Sequence, residues 1–143
     1  MAKNKEITTQ ITINATPEQV WSVLTNFDTY GEWNPFIEYI TGDVQQGNKI
    51  KVKLGGMKFK PTVLNYTANK ELKWLGHFGF KGIFDGEHRF ELIDNGDGTT
   101  TFIQSEKFNG MLVGMLSKKL DTETLPQFQS MNEALKMRVE AGL

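Results

Sequence analysis

Between Gly110 and Glu140 the apolar residues Leu112, Leu116, Leu120, Phe128, Met131, Leu135 and Val139 recur at steps of three, four or eight, the spacing of one helical face. Thr124 falls on the same face. Lys118, Asp121, Glu123, Gln129, Asn132, Glu133, Lys136 and Glu140 fall mostly on the other side, so the pattern predicts a long amphipathic helix. Roughly 30 residues at about 1.5 Å each make a helix of about 45 Å, and only a broad, curved surface covers a stripe of that length. Pro126 interrupts the pattern, because it offers no N–H and disfavours the α conformation at Leu125. Two outcomes stand open: a bend or break between Asp121 and Pro126, or a fresh helix with Pro126 in its first turn and Thr122 or Thr124 as its cap.

The covering surface comes from the rest of the chain. Ile7, Thr9, Ile11 and Ile13 alternate with Thr8, Gln10 and Thr12, a period of two that predicts a strand over 7–13. Thr16-Pro17-Glu18-Gln19 has the form of a capping box with proline at the first helical position. A short helix follows to about Asn26, burying Val20, Trp21, Val23 and Leu24. Tyr30 to Phe36 reads as a short bent element, since Pro35 biases Asn34 away from the α region. Turn signals at Gly47-Asn48, Gly55-Gly56, Asn69-Lys70, Gly79 to Gly82 and Asn95 to Gly98 then cut out strands over 37–45, 49–54, 58–67, 71–78, 83–94 and 99–108. Connections this short join antiparallel neighbours, so the pattern predicts seven strands in one curved meander. No repeat or linker divides the chain, and residues 1–143 read as a single domain.

Alternation assigns the inward faces. Leu72, Trp74 and Phe78 line up on one strand, with His77 on the outer side. Phe84, Gly86, His88, Phe90 and Leu92 do so on the next, and Phe102, Gln104, Glu106 and Phe108 on the last. Two strands therefore aim polar groups at the helix. Pairing through the Asn95–Gly98 turn sets residues that sum to about 193 or 194 opposite one another, which puts His88 across from Gln104 or Glu106. A His–carboxylate pair in an apolar setting is suited to general acid/base work on a carbonyl compound. Its plain alternative is a polar group that satisfies its own hydrogen bonds.

Composition narrows the classes. The 143 residues carry a formal net charge of −1, with none of the basic excess that nucleic acid binding requires. No cysteine is present, which removes disulfides, thiolate nucleophiles and cysteine-based zinc sites. The two histidines, His77 and His88, are predicted on opposite faces, so no metal site is expected, and no cofactor fingerprint occurs. The start lacks an apolar signal region and no apolar run is long enough to span a bilayer. The expectation is a cytoplasmic protein without integral membrane association, a monomer or homodimer.

Taken together, the Thr-Pro-Glu-Gln-Val-Trp helix start, Trp33-Asn34-Pro35-Phe36, the meander, Glu106-Lys107-Phe108-Asn109-Gly110 and the closing helix with Phe128, Met131-Asn132 and Leu135-Lys136 resemble the START-like superfamily. Within it the chain is similar to bacterial polyketide cyclase/dehydrase-like (SRPBCC) proteins. The resemblance implies an α+β helix-grip fold, with a curved seven-stranded antiparallel sheet around the C-terminal helix and two short helices after the first strand. It also implies a cavity for hydrophobic ligands between helix and sheet. The expected walls are Trp33, Phe36, Phe59, Trp74, Phe78, Phe84, His88, Phe90, Gln104, Glu106, Phe108, Met115, Leu116, Leu120, Thr124 and Phe128. Binding or transport of a small hydrophobic or amphipathic molecule, lipid or polyketide-like, without obligatory chemistry is the first functional expectation. A cyclase or dehydratase using His88 and Glu106 is the second, and a protein-interaction module like the Hsp90 activators the third, because fold alone does not select among them.

Overall fold

The period-two segments form the strands, and the first and last of them close on each other. The computed structural model describes residues 4–79 and 81–142; Met1 to Lys3, Phe80 within the expected Gly79–Gly82 turn, and Leu143 lie outside the described residues. β1 (Asn4–Ile13) pairs antiparallel with β8 (Thr100–Asn109), and β8 with β7 (Asp85–Asp94). β6 (Glu71–His77) and β5 (Thr62–Thr67) continue the sheet, whose order is β1-β8-β7-β6-β5. A second sheet holds β2 (Ile37–Thr41), β3 (Lys51–Leu54) and β4 (Met57–Phe59) in that order.

The fold is thus the α+β helix grip expected, with eight strands in two sheets in place of seven in one. The difference lies at Lys60-Pro61, inside the expected strand 58–67. Proline cannot donate to a ladder, so the segment divides there into β4 and β5. The sheets stay tied at this corner by an isolated bridge between Lys49 and Thr62, and by Ile50 N–H donating to the Pro61 carbonyl at 3.0 Å and Val63 N–H to the Asn48 carbonyl at 2.8 Å.

α1 (Pro17–Leu24) starts with the capping box the residues specify. Thr16 Oγ1 accepts from Gln19 N–H, and Gln19 Oε1 accepts from Thr16 N–H at 2.9 Å. The helix buries Val20, Trp21 and Leu24. A 3₁₀ turn (Phe27–Thr29) leads into α2 (Tyr30–Trp33), where Tyr30 is fully buried and donates its hydroxyl to the Leu24 carbonyl. Burial pushes the Tyr30 phenol far above its ordinary pKa.

Helical backbone then runs without interruption through α3 (Val113–Lys119), a π turn (Leu120–Thr124) and α4 (Leu125–Ala141). Pro126 does fall in the first turn of α4, as the second expected outcome has it, but the helix does not start afresh there. Leu125 stays helical at φ −58° and ψ −48°, and no threonine side chain caps α4. The hydrogen bond that Pro126 cannot donate is absorbed by the wider π turn, a known accommodation within helices. α4 packs on β1, β8 and α1, burying Phe128, Met131, Asn132, Leu135 and Val139. Among the described residues no helix is long and apolar enough to cross a membrane.

Candidate functional site

A cavity of about 450 Å³ opens where α3 and the π turn leave the sheet, within the size range of small-molecule sites. Leu112, Leu116, Leu120 and Thr124 form its helical wall; Trp74, Gly76, Phe84, Gly86, Glu106 and Phe108 form its sheet wall. Phe36, Leu54, Phe59 and Phe78 close the sides, with Lys119, Glu123 and Gln127 on the helical edge. A wider, shallower depression of about 630 Å³ lies elsewhere, between the start of α1 and the β5–β7 edge, and is rimmed by Glu18, Lys70, Glu71, Glu91 and Asp94.

The β7–β8 register sums to 194, so His88 faces Glu106 directly and Gln104 lies two residue pairs along, opposite Phe90. His88 is fully buried, boxed by the rings of Phe36, Trp74, Phe90 and Phe128 at centroid distances of 6.3, 5.2, 4.7 and 5.0 Å. Its Nδ1 stands 3.1 Å from Glu106 Oε1 and its Nε2 2.9 Å from Gln104 Oε1. Beyond Gln104 the network continues: Gln104 Nε2 donates to Asn132 Oδ1 at 2.8 Å and to the Phe128 carbonyl at 3.3 Å. Asn132 Nδ2 donates to Thr9 Oγ1, which donates back to the Gln104 carbonyl. The network thus ends in a closed ring that joins β1, β8 and α4.

One acceptor sets the direction of the whole chain of bonds. The Phe128 carbonyl only accepts, so the amide nitrogen of Gln104 must face it, and the amide oxygen faces His88. An oxygen there requires His88 Nε2 to carry hydrogen. Nδ1 is left toward Glu106, and the 3.1 Å contact holds a hydrogen bond only if one proton sits between them, as imidazolium with carboxylate or as neutral imidazole with carboxylic acid. Leaving that contact without its proton would set two lone pairs together in a buried place, which is costly. His88 and Glu106 are therefore joined by one shared proton, and Glu106 is the member of the pair that lines the cavity.

Glu106 is held over a glycine. A Cβ built on Gly86 would stand 2.1 Å from Glu106 Oε2, so a side chain at position 86 would push that carboxylate from its place. Gly76 lies beside Gly86 in the register, and both line the cavity.

Of the expected walls, Phe36, Phe59, Trp74, Phe78, Phe84, Glu106, Phe108, Leu116, Leu120 and Thr124 line the cavity. His88, Phe90, Gln104 and Phe128 do not; each is fully buried behind that wall. Trp33 packs on Tyr30 at 5.2 Å, away from the cavity, because its short helix turns it toward the 3₁₀ turn. Met115 is 73% exposed, since α3 presents Leu112 and Leu116 inward and so turns Met115 to solvent. Thr124 takes no part in the polar network; Asn132, expected on the outer side of the helix, occupies that role at 3% exposure. Its spacing carried the signal, four after Phe128 and three before Leu135. Thr9, Gly76, Gly86, Leu54 and Gln127 are further participants that residue type alone did not single out. His77 lies on the outer face as expected, bonded to Asp85 at 2.7 Å. Among the described residues no group of three or more His, Cys, Asp or Glu could hold a metal ion.

A comparison with curated protein sequences found no match. Solved structures share the fold. A START superfamily protein from Mycobacterium smegmatis is 22% identical, with a TM-score of 0.72 over 96% of this chain and 99% of that one. An aromatase/cyclase from Streptomyces is 12% identical, with a TM-score of 0.77 over 96% and 94%. Norcoclaurine synthase from Thalictrum flavum, in complex with dopamine and hydroxybenzaldehyde, is 15% identical, with a TM-score of 0.73 over 98% and 88%. The model of the family described as polyketide cyclase/dehydrase and lipid transport matches residues 5–140; with nearly the whole chain covered, the protein belongs to that family.

Proposed function

We propose that the protein binds one small, largely apolar molecule in the cavity under α3 and the π turn, with Glu106 as the polar anchor at its back. The observation that carries this reading is the contrast within the cavity wall: aromatic and aliphatic side chains on almost every side, and one carboxylate held over Gly86 on the sheet. Apolar walls supply affinity by burying ligand surface, while a few fixed polar groups orient the ligand. At about 450 Å³ the space suits a compact ring system or a short chain. Leu116→Trp should fill the cavity from the helical side. Native mass spectrometry of the wild type after incubation with naphthalene-sized compounds should show one retained molecule, and L116W should retain none. A wild type that retains none of them would exclude the reading.

A second reading is favoured by the shared proton. With His88 behind it, Glu106 is placed to take an α-proton from a bound ketone and return one, the step that ring-closing aldol chemistry begins with. Deuterium exchange at the α-carbon of 2-tetralone, followed by NMR, should be accelerated by the wild type and lost in His88→Ala. Exchange equal to that of buffer would remove this reading and leave binding intact.

A further inference from the structure

The bonds around Glu106 determine what kind of ligand atom it receives, an inference that rests on the cavity-binding reading. Oε1 is engaged by His88 Nδ1 at 3.1 Å. Oε2 lies over Gly86 at the cavity wall, and among the described residues it has no hydrogen-bond donor. The single proton of the pair lies on the line between Nδ1 and Oε1. Whether that proton sits on nitrogen or on oxygen, Oε2 is a carboxylate oxygen or a carbonyl oxygen, and in both cases it accepts and cannot donate. Only a second proton on the pair would change this.

We propose that the ligand presents an O–H or N–H donor to Glu106 Oε2, so that the cavity selects apolar rings bearing a free hydroxyl or amine. It discriminates against the same rings when that position carries an ether, carbonyl or carboxylate oxygen. Such an oxygen would meet Oε2 lone pair to lone pair. A carboxylate would add charge repulsion in an apolar enclosure, where little water screens it. The other polar groups of the cavity do not alter the assignment. Lys119 and Glu123 pair with each other at 3.8 Å, and with Thr124 and Gln127 they stand on the helical side, across from the sheet that carries Glu106.

Substitutions at position 106 obey the same donor–acceptor rule. In Glu106→Gln the amide N–H₂ is drawn toward the bare Nδ1 of neutral His88, which leaves the amide oxygen facing the cavity, so donor selection survives. In Glu106→Leu it disappears. The test is isothermal titration of wild type, E106Q and E106L with 2-naphthol and with 2-methoxynaphthalene, in which a methyl group replaces the donor hydrogen. The wild type and E106Q should bind 2-naphthol about tenfold or more tightly than the methyl ether, the usual scale of one unsatisfied buried polar group. E106L should bring the two within about threefold, with the comparison across variants cancelling the ether's extra methyl group. Equal binding of both probes by the wild type would overturn the inference while leaving cavity binding in place; that comparison decides alone if E106L does not fold. An unchanged preference in folded E106L would overturn it too. Binding of neither probe would overturn the cavity reading and this inference with it.

Discussion

Phe128 shows how a single side chain's place decides its energetic role. As a wall of an open cup its ring would lose little on truncation. It is instead fully buried, packed at a tilt against Phe36 at 5.4 Å and His88 at 5.0 Å, and its carbonyl orients Gln104. Phe128→Ala should therefore cost the full amount for a close-packed ring, about 3–5 kcal/mol, measured by urea unfolding. Phe59→Ala, at the partly exposed side of the cavity, should cost distinctly less. A Phe128→Ala loss no larger than that of Phe59→Ala would place the cavity wall where we place the core. Residue-scale legibility followed the same division. His88 and Glu106 could be paired from the alternation and the Asn95–Gly98 turn, since a hairpin register is arithmetic once the turn is known. Asn132 is not legible in the same way, because an amide on a helix ordinarily faces water. Only the partner waiting on β8 makes its burial affordable, and that partner lies 28 residues away in sequence.

At the scale of elements, prolines and glycines explain where pattern and structure part. Periodicity and turn signals located the closing helix and the strands, with β4 and β5 read as one, because a pattern of apolar positions does not register a missing N–H. Pro61 divided a strand and Pro126 widened a helical turn, both through that one absent donor. Gly110, at the joint between β8 and α3, has the stricter requirement. Its φ is +128°, and a Cβ there would lie 2.5 Å from the Ile83 carbonyl oxygen and 2.7 Å from its carbon. These are backbone atoms, and they cannot move aside, because Leu112 N–H donates to the same Ile83 carbonyl at 3.0 Å and Met111 N–H to that of Gly82 at 3.1 Å. Gly110→Ala thus combines an unfavourable φ with a backbone clash, and should destabilise by about 2 kcal/mol or more. The same joint holds α3 over the cavity, so ligand retention in native mass spectra should fall with it. An alanine variant as stable as wild type would mean that the joint is loose.

Across the whole molecule, charge is arranged so that the outer face of the sheet responds to acid. Glu71 on β6 resists ionisation through partial burial. Hydrogen bonds from Asn65 and Arg89, with the charges of Arg89 and Lys73, outweigh that effect and bring its carboxyl below the ordinary 4.5. Glu140, near the end of α4, is lowered as well, first by the Asn14 N–H it accepts and then by Lys136. It ties the last helix to the segment between β1 and α1. For a carboxyl lowered on folding, the unfolded chain binds the proton more readily, so stability is fully present above 4.5 and drains away as pH falls through the lower folded value. Unfolding midpoints in urea should therefore hold level from pH 7 to about 5, then decline below 4.5. Glu71→Gln keeps the shape and an acceptor while removing the titration. It should lower stability at pH 7, where the wild-type carboxylate is charged and paired, and flatten the decline in acid, so that the two proteins converge toward pH 3. Parallel curves that never converge would show that the acid response arises elsewhere, with Glu140→Gln the next variant to measure. Because Glu71 and Arg89 lie on the opposite face of the sheet from Glu106, the variant should leave the preference for 2-naphthol over 2-methoxynaphthalene unchanged at pH 7, separating the charge that stabilises the sheet from the carboxylate that faces the ligand.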